Sequence, residues 1–158
     1  MEITLGTRTA ETAAAYFEKT NNETFRKVLP QKAQTVEEAV ADFHASQLPG
    51  AASFGRTILA DGAHVGDVWC YCIGLNDTPN AMVSYCVFEQ TLWGQGIASK
   101  ALELFLPEIA RKYGLKTVGA FTFADNHPSI RVLEKNGFRL MEEFTEDGIL
   151  SQYFQLEL

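Results

Sequence analysis

The sequence is poor in cysteine, in basic side chains and in long apolar runs, and each shortage excludes a class of protein. Three cysteines, Cys70, Cys72 and Cys86, lie in strand-like apolar segments, which favours neither a disulfide framework nor a metal site. No apolar run approaches the roughly 18 residues that a membrane-spanning helix needs, and residues 1–5 lack the pattern of a secretion signal. We therefore expect a cytoplasmic protein with no metal and no membrane contact.

The charge balance is acidic, with 13 Lys and Arg against 20 Asp and Glu and a formal net charge of -7. Nucleic-acid-binding proteins need clustered cations to replace the counterions of phosphate, so we expect no nucleic-acid partner. An acidic protein suits a cationic amine, although acidic surfaces also serve solubility alone. The 158 residues, 46% of them hydrophobic, predict a single globular domain over residues 1–158.

Helical periodicity marks four segments. The first two begin at threonine caps and precede every predicted strand. The third contains Pro107, which removes a backbone hydrogen bond and should bend the helix, and the fourth has Pro128 in its first turn. The predicted helices cover residues 9–19, 36–47, 96–113 and 126–135.

Apolar strands are predicted between and after these helices. Asp61-Gly62 joins the first two strands as a hairpin, and residues 146–148 join the last two. The strands cover residues 54–60, 64–73, 81–88, 116–124, 138–144 and 151–156. Because a long helix separates the third strand from the fourth, these two should run parallel with a right-handed crossover. The order predicts an α/β (α+β) fold with a mixed, mostly antiparallel sheet around a central βαβ unit.

A glycine-containing turn, Trp93-Gly94-Gln95-Gly96-Ile97-Ala98, stands where the third strand has ended and the long helix begins. The first N–H groups of a helix have no partner within it and carry partial positive charge, so they attract anions. Gly94 and Gly96 leave room for a phosphate, although glycines also occur in tight turns that bind nothing. The P-loop pattern is absent, and the Rossmann pattern fails because Ser99 follows Ala98.

This turn resembles the acetyl-CoA signature of the GNAT superfamily, Arg/Gln-x-x-Gly-x-Gly/Ala, with Gly96 and Ala98 in place and Trp93 at the first position. Trp-Gly-x-Gly is familiar in the branch of the ribosomal-protein alanine N-acetyltransferases. Residues 126–138 are similar to a second pattern of that branch, N-x-x-S-x-x-x-x-x-K-x-G-F. The two motifs occur in the correct order, and the resemblance implies the GNAT fold, with six to seven strands and helices on both faces of the sheet.

The resemblance also implies where acetyl-CoA, a cosubstrate, would bind. The gap between the strands that flank the long helix would hold it, with the pyrophosphate on Gly94, Gln95, Gly96, Ile97, Ala98 and Ser99. The pantetheine arm would contact the main chain of Val87 and Phe88 and the side chain of Asn126. Asn126 also suits the N-cap of a helix, and the two roles are compatible.

Direct attack of a primary amine on the thioester, in a ternary complex, is the mechanism that the resemblance implies. Many GNAT members place a Tyr in the short helix to assist the leaving thiolate, but Leu133 occupies that position here. Ser129 is the remaining hydroxyl, and a first-turn Ser that bonds the backbone is an equal alternative.

The proton acceptor has three candidates, Glu89 first and then Asp125 and His127. We expect Tyr85 and Trp69 to be core residues. The amine would be a peptide N-terminus or a small molecule, and a homodimer is compatible with the family. A non-catalytic acyl-CoA-binding module is the alternative function.

Overall fold

The computed structural model describes residues 1–29 and 32–158. Within them the helices are α1 (Ala10–Thr20), α2 (Glu23–Arg26), α3 (Val36–Ser46), α4 (Ile97–Tyr113) and α5 (His127–Lys135). The strands are β1 (Ile3–Thr7), β2 (Phe54–Ala60), β3 (Ala63–Tyr71), β4 (Ala81–Val87), β5 (Thr117–Phe123), β6 (Arg139–Glu146) and β7 (Ile149–Glu157). Every predicted helix and strand is present, and β1, α2 and a 3-10 turn at Gln90–Leu92 are additional.

The strands of the described chain form a seven-stranded sheet in the order β1-β2-β3-β4-β5-β7-β6. All neighbouring strands are antiparallel except β4 and β5, which are parallel and connected through α4. The predicted βαβ unit is therefore confirmed. β4 and β5 pair only at Ala81 with Val118 and Met82 with Gly119, and beyond these residues the two strands separate.

The expectation that two helices precede the whole sheet is wrong, because β1 comes first. All five residues of β1, Ile3 to Thr7, pair with β2, from Ala60 to Arg56. The Glu2 N–H also donates to the Asp61 carboxylate, 2.8 Å away, which fastens the chain to the β2–β3 turn. A five-residue edge strand has too few residues for a clear alternating pattern, so long-range pairing decides its conformation.

Local turn and cap signals are confirmed at atomic level. Asp61 and Gly62 both have positive φ, as do Asp147 and Gly148, which is the conformation of two-residue hairpins. Gly114, in the left-handed region, ends α4. α4 continues through Pro107 as one helix.

Side chains of β4 alternate between two packed layers. Val83 and Tyr85 face the main core, which contains the fully buried Leu102, Phe105 and Ile109 of α4. Cys86 and Phe88 face a smaller cluster, formed with Phe25, Tyr16, Leu29 and Trp69. Helices therefore cover both faces of the sheet, as predicted, and Trp69 packs in the smaller cluster. Among the described helices, none has the length and apolar character to cross a bilayer.

Candidate active site

A cleft of about 970 Å³ opens where β4 and β5 separate. Its walls come from the ends of these strands, the first turn of α4, one side of α5, the end of β6, and α2 with the residues after it. Because a parallel pair that splays leaves backbone groups unpaired on both strands, a ligand that enters here can pair with main chain as well as side chains.

The glycine turn forms one end of the cleft. Gly94 and Gly96 have φ of 81° and 77°, so both positions need the left-handed conformation that glycine adopts without strain. No atom lies within 4 Å of a Cβ built on either residue, so the space beside them is open. Gly96 is the N-cap of α4 and provides no side-chain cap, which leaves the first N–H groups of α4 available to an anion. Gly94, Gly96, Ile97, Ala98 and Ser99 line the cleft, and Gln95 is exposed outside it.

Trp93 ties this turn to the end of β4. Its indole Nε1 donates a hydrogen bond to the Val87 carbonyl, 2.7 Å away. Its ring packs edge-on against Phe25, with 6.0 Å between ring centroids, while 51% of the residue stays exposed. The departure from Arg or Gln at this position therefore has a structural role, which a single sequence could not reveal.

Val87 and Phe88, at the end of β4, were both predicted to bind pantetheine through main chain, but their backbone groups face different ways. The Phe88 N–H donates to the Val65 carbonyl of β3, 2.9 Å away, and the Phe88 side chain is buried. Successive backbone groups point to opposite edges of a strand, so those of Val87 face the cleft, where the Trp93 contact also lies. The cleft is thus lined by Val87 and not by Phe88.

A hydroxyl pair joins β4 to α5 across the cleft. The phenol oxygen of Tyr85 lies 2.8 Å from Ser129 Oγ and donates to the Ser129 carbonyl at 3.2 Å. Burial raises the pKa of Tyr85 to about 12, so the phenol keeps its proton at neutral pH. The Ser129 hydroxyl is thus bonded to a phenol, and the Asn126 side chain, which accepts from the Ser129 N–H at 3.3 Å, is the predicted N-cap.

Tyr85 is the residue that sequence reasoning missed, since it was expected in the core. It packs against the main core with its ring and reaches the cleft with its hydroxyl. The alternation of Val83, Tyr85 and Val87 on one strand face could have indicated this. Leu133, which stands where many family members have Tyr, is fully buried in the main core.

The three candidate proton acceptors lie in different places. Glu89 has a side chain that is 41% exposed, faces Lys19 Nζ at 3.9 Å and does not line the cleft. Asp125 lines the cleft after the end of β5, and His127 is exposed and does not. The structure thus brings Asp125 to the cleft but not Glu89 or His127.

Two cations and an amide complete the wall formed by α5. Arg131 and Lys135 line the cleft, which gives this wall positive charge. Asn136 Nδ2 donates to the Ser99 carbonyl at 3.2 Å and so fastens the end of α5 to the first turn of α4. Over residues 1–29 and 32–158 no group of three or more His, Cys, Asp or Glu side chains could hold a metal.

Comparisons with known proteins bear on the fold and the family of the chain. No curated protein sequence matches the chain. The Mycobacterium smegmatis protein RimJ, solved with CoA-disulfide, is similar in fold at 20% identity, with a TM-score of 0.83 over 98% of this chain and 81% of that chain.

Two further solved structures share the fold. Aminoglycoside acetyltransferase AAC(6')-Ib with coenzyme A has 16% identity and a TM-score of 0.82, over 99% of this chain and 95% of that one. The microcin C7 self-immunity acetyltransferase MccE with acetyl-CoA and AMP has 18% identity and a TM-score of 0.80, over 99% and 93%. The family model described as an acetyltransferase (GNAT) domain matches residues 2–139. The chain therefore belongs to the GNAT acetyltransferase family.

Proposed function

We propose that the protein transfers the acetyl group of acetyl-CoA to a primary amine, with both reactants held in the cleft between β4 and β5. The observation that carries this proposal is the open glycine turn at the start of α4. Gly94 and Gly96 have positive φ and free space beside them, and a Cβ would fill that space. CoA-disulfide bound to RimJ and acetyl-CoA bound to MccE support a ligand of the CoA class here.

The residues at the turn fit the chemistry of a pyrophosphate. Residues Gly94 to Ser99 would hold it through backbone N–H groups and the partial charge of α4. Arg131 and Lys135, on the opposite wall, add positive charge for the phosphates. Val87, through its main chain, and Asn126 would contact the pantetheine arm. Phe88 would support this strand end from its buried position.

Acetyl-CoA supplies an activated thioester, and the amine supplies the nucleophile. In the transfer a C–N bond forms and the C–S bond breaks, the amine loses one proton and the thiolate gains one. Holding the two reactants together lowers the barrier by roughly 7 kcal/mol or more. The Val87 N–H, which faces the cleft, is positioned to stabilise the oxyanion.

Ser129 and Tyr85 together would assist the thiolate. Their oxygens lie 2.8 Å apart, and Tyr85 carries a proton because its pKa is about 12. When the phenol donates its single proton to Ser129 Oγ, and not to the Ser129 carbonyl, the Ser129 hydroxyl is free to donate to sulfur. The proposed catalytic Ser thus acts with a Tyr that comes from β4 and not from α5.

The proton of the amine would pass to a carboxylate directly or through water. Glu89 and Asp125 are the carboxylate candidates, and Asp125 is favoured because it lines the cleft. We expect Asp125→Asn to lower kcat/KM by roughly tenfold or more, and Glu89→Gln to lower it less. A larger loss of kcat/KM in Glu89→Gln than in Asp125→Asn would identify Glu89 as the proton acceptor.

Incubation of the protein with acetyl-CoA and a panel of primary amines tests the enzyme against the alternative, a non-catalytic acyl-CoA-binding module. Free thiol reports transfer, and calorimetry with CoA reports binding. Thiol release that depends on an amine supports the enzyme. Binding of CoA without release by any amine, including extracted cellular proteins and peptides, supports the binding module.

We propose that the protein acts as one domain over residues 1–158, in the cytoplasm, on a peptide N-terminus or a small amine. Free Cys70, Cys72 and Cys86 support a reducing compartment. Cell fractionation tests the location, and light scattering tests whether a homodimer forms.

A further inference from the structure

The two faces of the sheet give the cleft two sides of different composition. Val83, Tyr85 and Val87 of β4 face α4, and with residues 94–99 and α5 they form what we name the cofactor side. Phe121 of β5 faces the opposite way, because its neighbour Ala120 lies in the main core and successive side chains of a strand alternate between the two faces. Its ring lies 5.2 Å from that of Tyr153 and 5.8 Å from that of Phe144. We name this opposite face the acceptor side.

The acceptor side is aromatic and aliphatic. Six apolar residues that line it are Phe25, Val28, Leu29, Phe121, Phe123 and Phe144. Phe121 is 56% exposed and Val28 is 43% exposed, so these side chains are open to an incoming ligand. Apolar walls of this kind bind apolar groups, because burial of such groups is favourable.

Charge on the acceptor side is sparse. Glu146 lies two residues after Phe144 on β6, so both side chains leave the same face of the strand. Among the described strand residues that line the cleft, Glu146 is the only one with a charged side chain. The cations Arg131 and Lys135 belong to α5 on the cofactor side. Asp125, after the end of β5, is the second carboxylate of the cleft lining and is the proposed acceptor of the amine's proton. Glu146 and the aromatic rings therefore match one ammonium group, which is attracted to both.

A polycation needs more than this surface provides. Because the reacting amine uses both Asp125 and Glu146, each additional ammonium group of a polyamine or an aminoglycoside would lie against apolar side chains and would lose hydration. A monoamine has no additional ammonium group and so avoids this loss of hydration. An apolar substituent beside its amine would pack against the aromatic wall.

We propose that the acceptor substrate is a primary monoamine with an aromatic or branched aliphatic group next to the amine. The group is held against Phe121 and Phe144, and the ammonium form is drawn to Glu146 before it loses its proton. The amine belongs either to a small molecule or to the N-terminal residue of a peptide. This inference rests on the proposed acetyl transfer for its orientation, but it makes a separate claim about binding.

Calorimetry with the CoA-saturated protein tests that claim without turnover. The probes are β-phenylethylamine, propylamine, spermidine, kanamycin, and two tripeptide amides that begin with Phe or Gly. We expect β-phenylethylamine to bind roughly tenfold or more tightly than propylamine, and more tightly than both polycations. The peptide pair distinguishes a small-molecule acceptor from a peptide acceptor.

Two variants with matched controls locate the site. Phe121→Ala removes an exposed ring and should weaken β-phenylethylamine binding roughly tenfold, with propylamine changed less than about threefold. Its control is Leu75→Ala, because Leu75 is 65% exposed and does not line the cleft. Glu146→Gln should weaken both monoamines, and its control is Glu142→Gln on the same exposed strand. Thermal midpoints close to that of the parent protein confirm that each variant folds.

Each outcome decides between the two claims. Tighter binding of spermidine or kanamycin, an unchanged amine ratio in Phe121→Ala, or no binding of any monoamine overturns the inference. If the inference is overturned in this way, thiol release from acetyl-CoA in the presence of spermidine would still support acetyl transfer, and only the substrate class would be wrong. Binding of β-phenylethylamine without release of thiol by any amine supports the acceptor side and contradicts the proposed transfer.

Discussion

The cofactor side and the acceptor side of the cleft differ in how the chain builds them. The cofactor side uses two short continuous segments, residues 94–99 and 126–136, joined by the end of β4. The acceptor side combines α2, β5 and β6, which lie far apart in the sequence. Phosphate binding depends on backbone N–H groups and small residues, which a short motif can specify, whereas an acceptor surface depends on which side chains the sheet brings together.

The largest effect that separates the two sides is expected at Gly96. Gly96→Val would force a branched side chain into the left-handed region and into the open space beside the turn. We expect the Kd for CoA to rise on the order of 100-fold or more, because the anion loses its approach to the α4 N–H groups. Calorimetry measures this.

Gly114 provides a matched control at the other end of α4. It also has positive φ and open space around it, so Gly114→Val carries the same strain of about 1–2 kcal/mol without touching the cleft. Both variants should lose stability in urea unfolding, and only Gly96→Val should lose CoA. Equal CoA affinity in the two variants would contradict the assignment of the turn.

A smaller effect is expected from the hydroxyl pair. Ser129→Ala and Tyr85→Phe should each lower kcat by roughly 10- to 100-fold, with little change in the Kd for CoA. The double variant should be no slower than the slower single one, because the two groups act as a unit. Steady-state kinetics and calorimetry make the measurement, and Tyr113→Phe, on the far end of α4, is the control. Additive losses would show that the groups work separately.

The pH dependence of the Tyr85→Phe deficit follows from the raised pKa. A pKa of about 12 means that the phenol keeps its proton until the pH approaches that value. The deficit should therefore stay constant between about pH 7 and pH 10, where an ordinary phenol would already begin to ionise. A deficit that shrinks as the pH rises towards 10 would show that the phenol already ionises there and would contradict the raised pKa.

A few-fold effect is expected from Trp93. Trp93→Phe keeps an aromatic ring beside Phe25 and removes the hydrogen bond to the Val87 carbonyl. Loss of one such bond costs about 0.5–1.5 kcal/mol, so CoA should bind roughly 2- to 10-fold more weakly if Trp93 positions the turn. Tighter binding would show instead that the indole competes with pantetheine for this carbonyl.

The smallest effect is expected from Asn136, which holds the cofactor side together from behind. Asn136→Ala removes the bond to the Ser99 carbonyl and should weaken CoA binding about 2- to 5-fold. Amine binding on the acceptor side should not change, and calorimetry with β-phenylethylamine checks this. If Asn136→Ala changed the affinity for β-phenylethylamine and not that for CoA, the division of the cleft into two sides would be contradicted.

Much of the fold could be predicted because its signals are local. The Asp61-Gly62 turn, a threonine cap before the first helix and the apolar runs of β2 to β5 depend on neighbouring residues, and each is found in the structure, where Thr9 is the cap and not Thr7. β1 could not be predicted, because its five residues form a strand only through pairing with β2.

The candidate site divides in the same way. The turn at Gly94 and Gly96 was predictable from glycines before a helix, and the structure confirms their left-handed conformation. Tyr85 was not, since an aromatic residue in a strand is usually core, and only the packing of α5 against β4 brings Ser129 to its hydroxyl.

By itself, the sequence determined the order of the elements other than β1 and α2, the glycine turn before α4 and the family, since these depend on residue types at short spacing. The tertiary structure decided the rest. The separation of β4 from β5 sets the cleft, and the β3 partner of Phe88 leaves Val87 as the backbone group that faces it. The strand order β5-β7-β6 brings Phe121, Tyr153 and Phe144 together in an aromatic wall. These features depend on contacts between residues distant in the chain, where no spacing in the sequence records which side chains will meet.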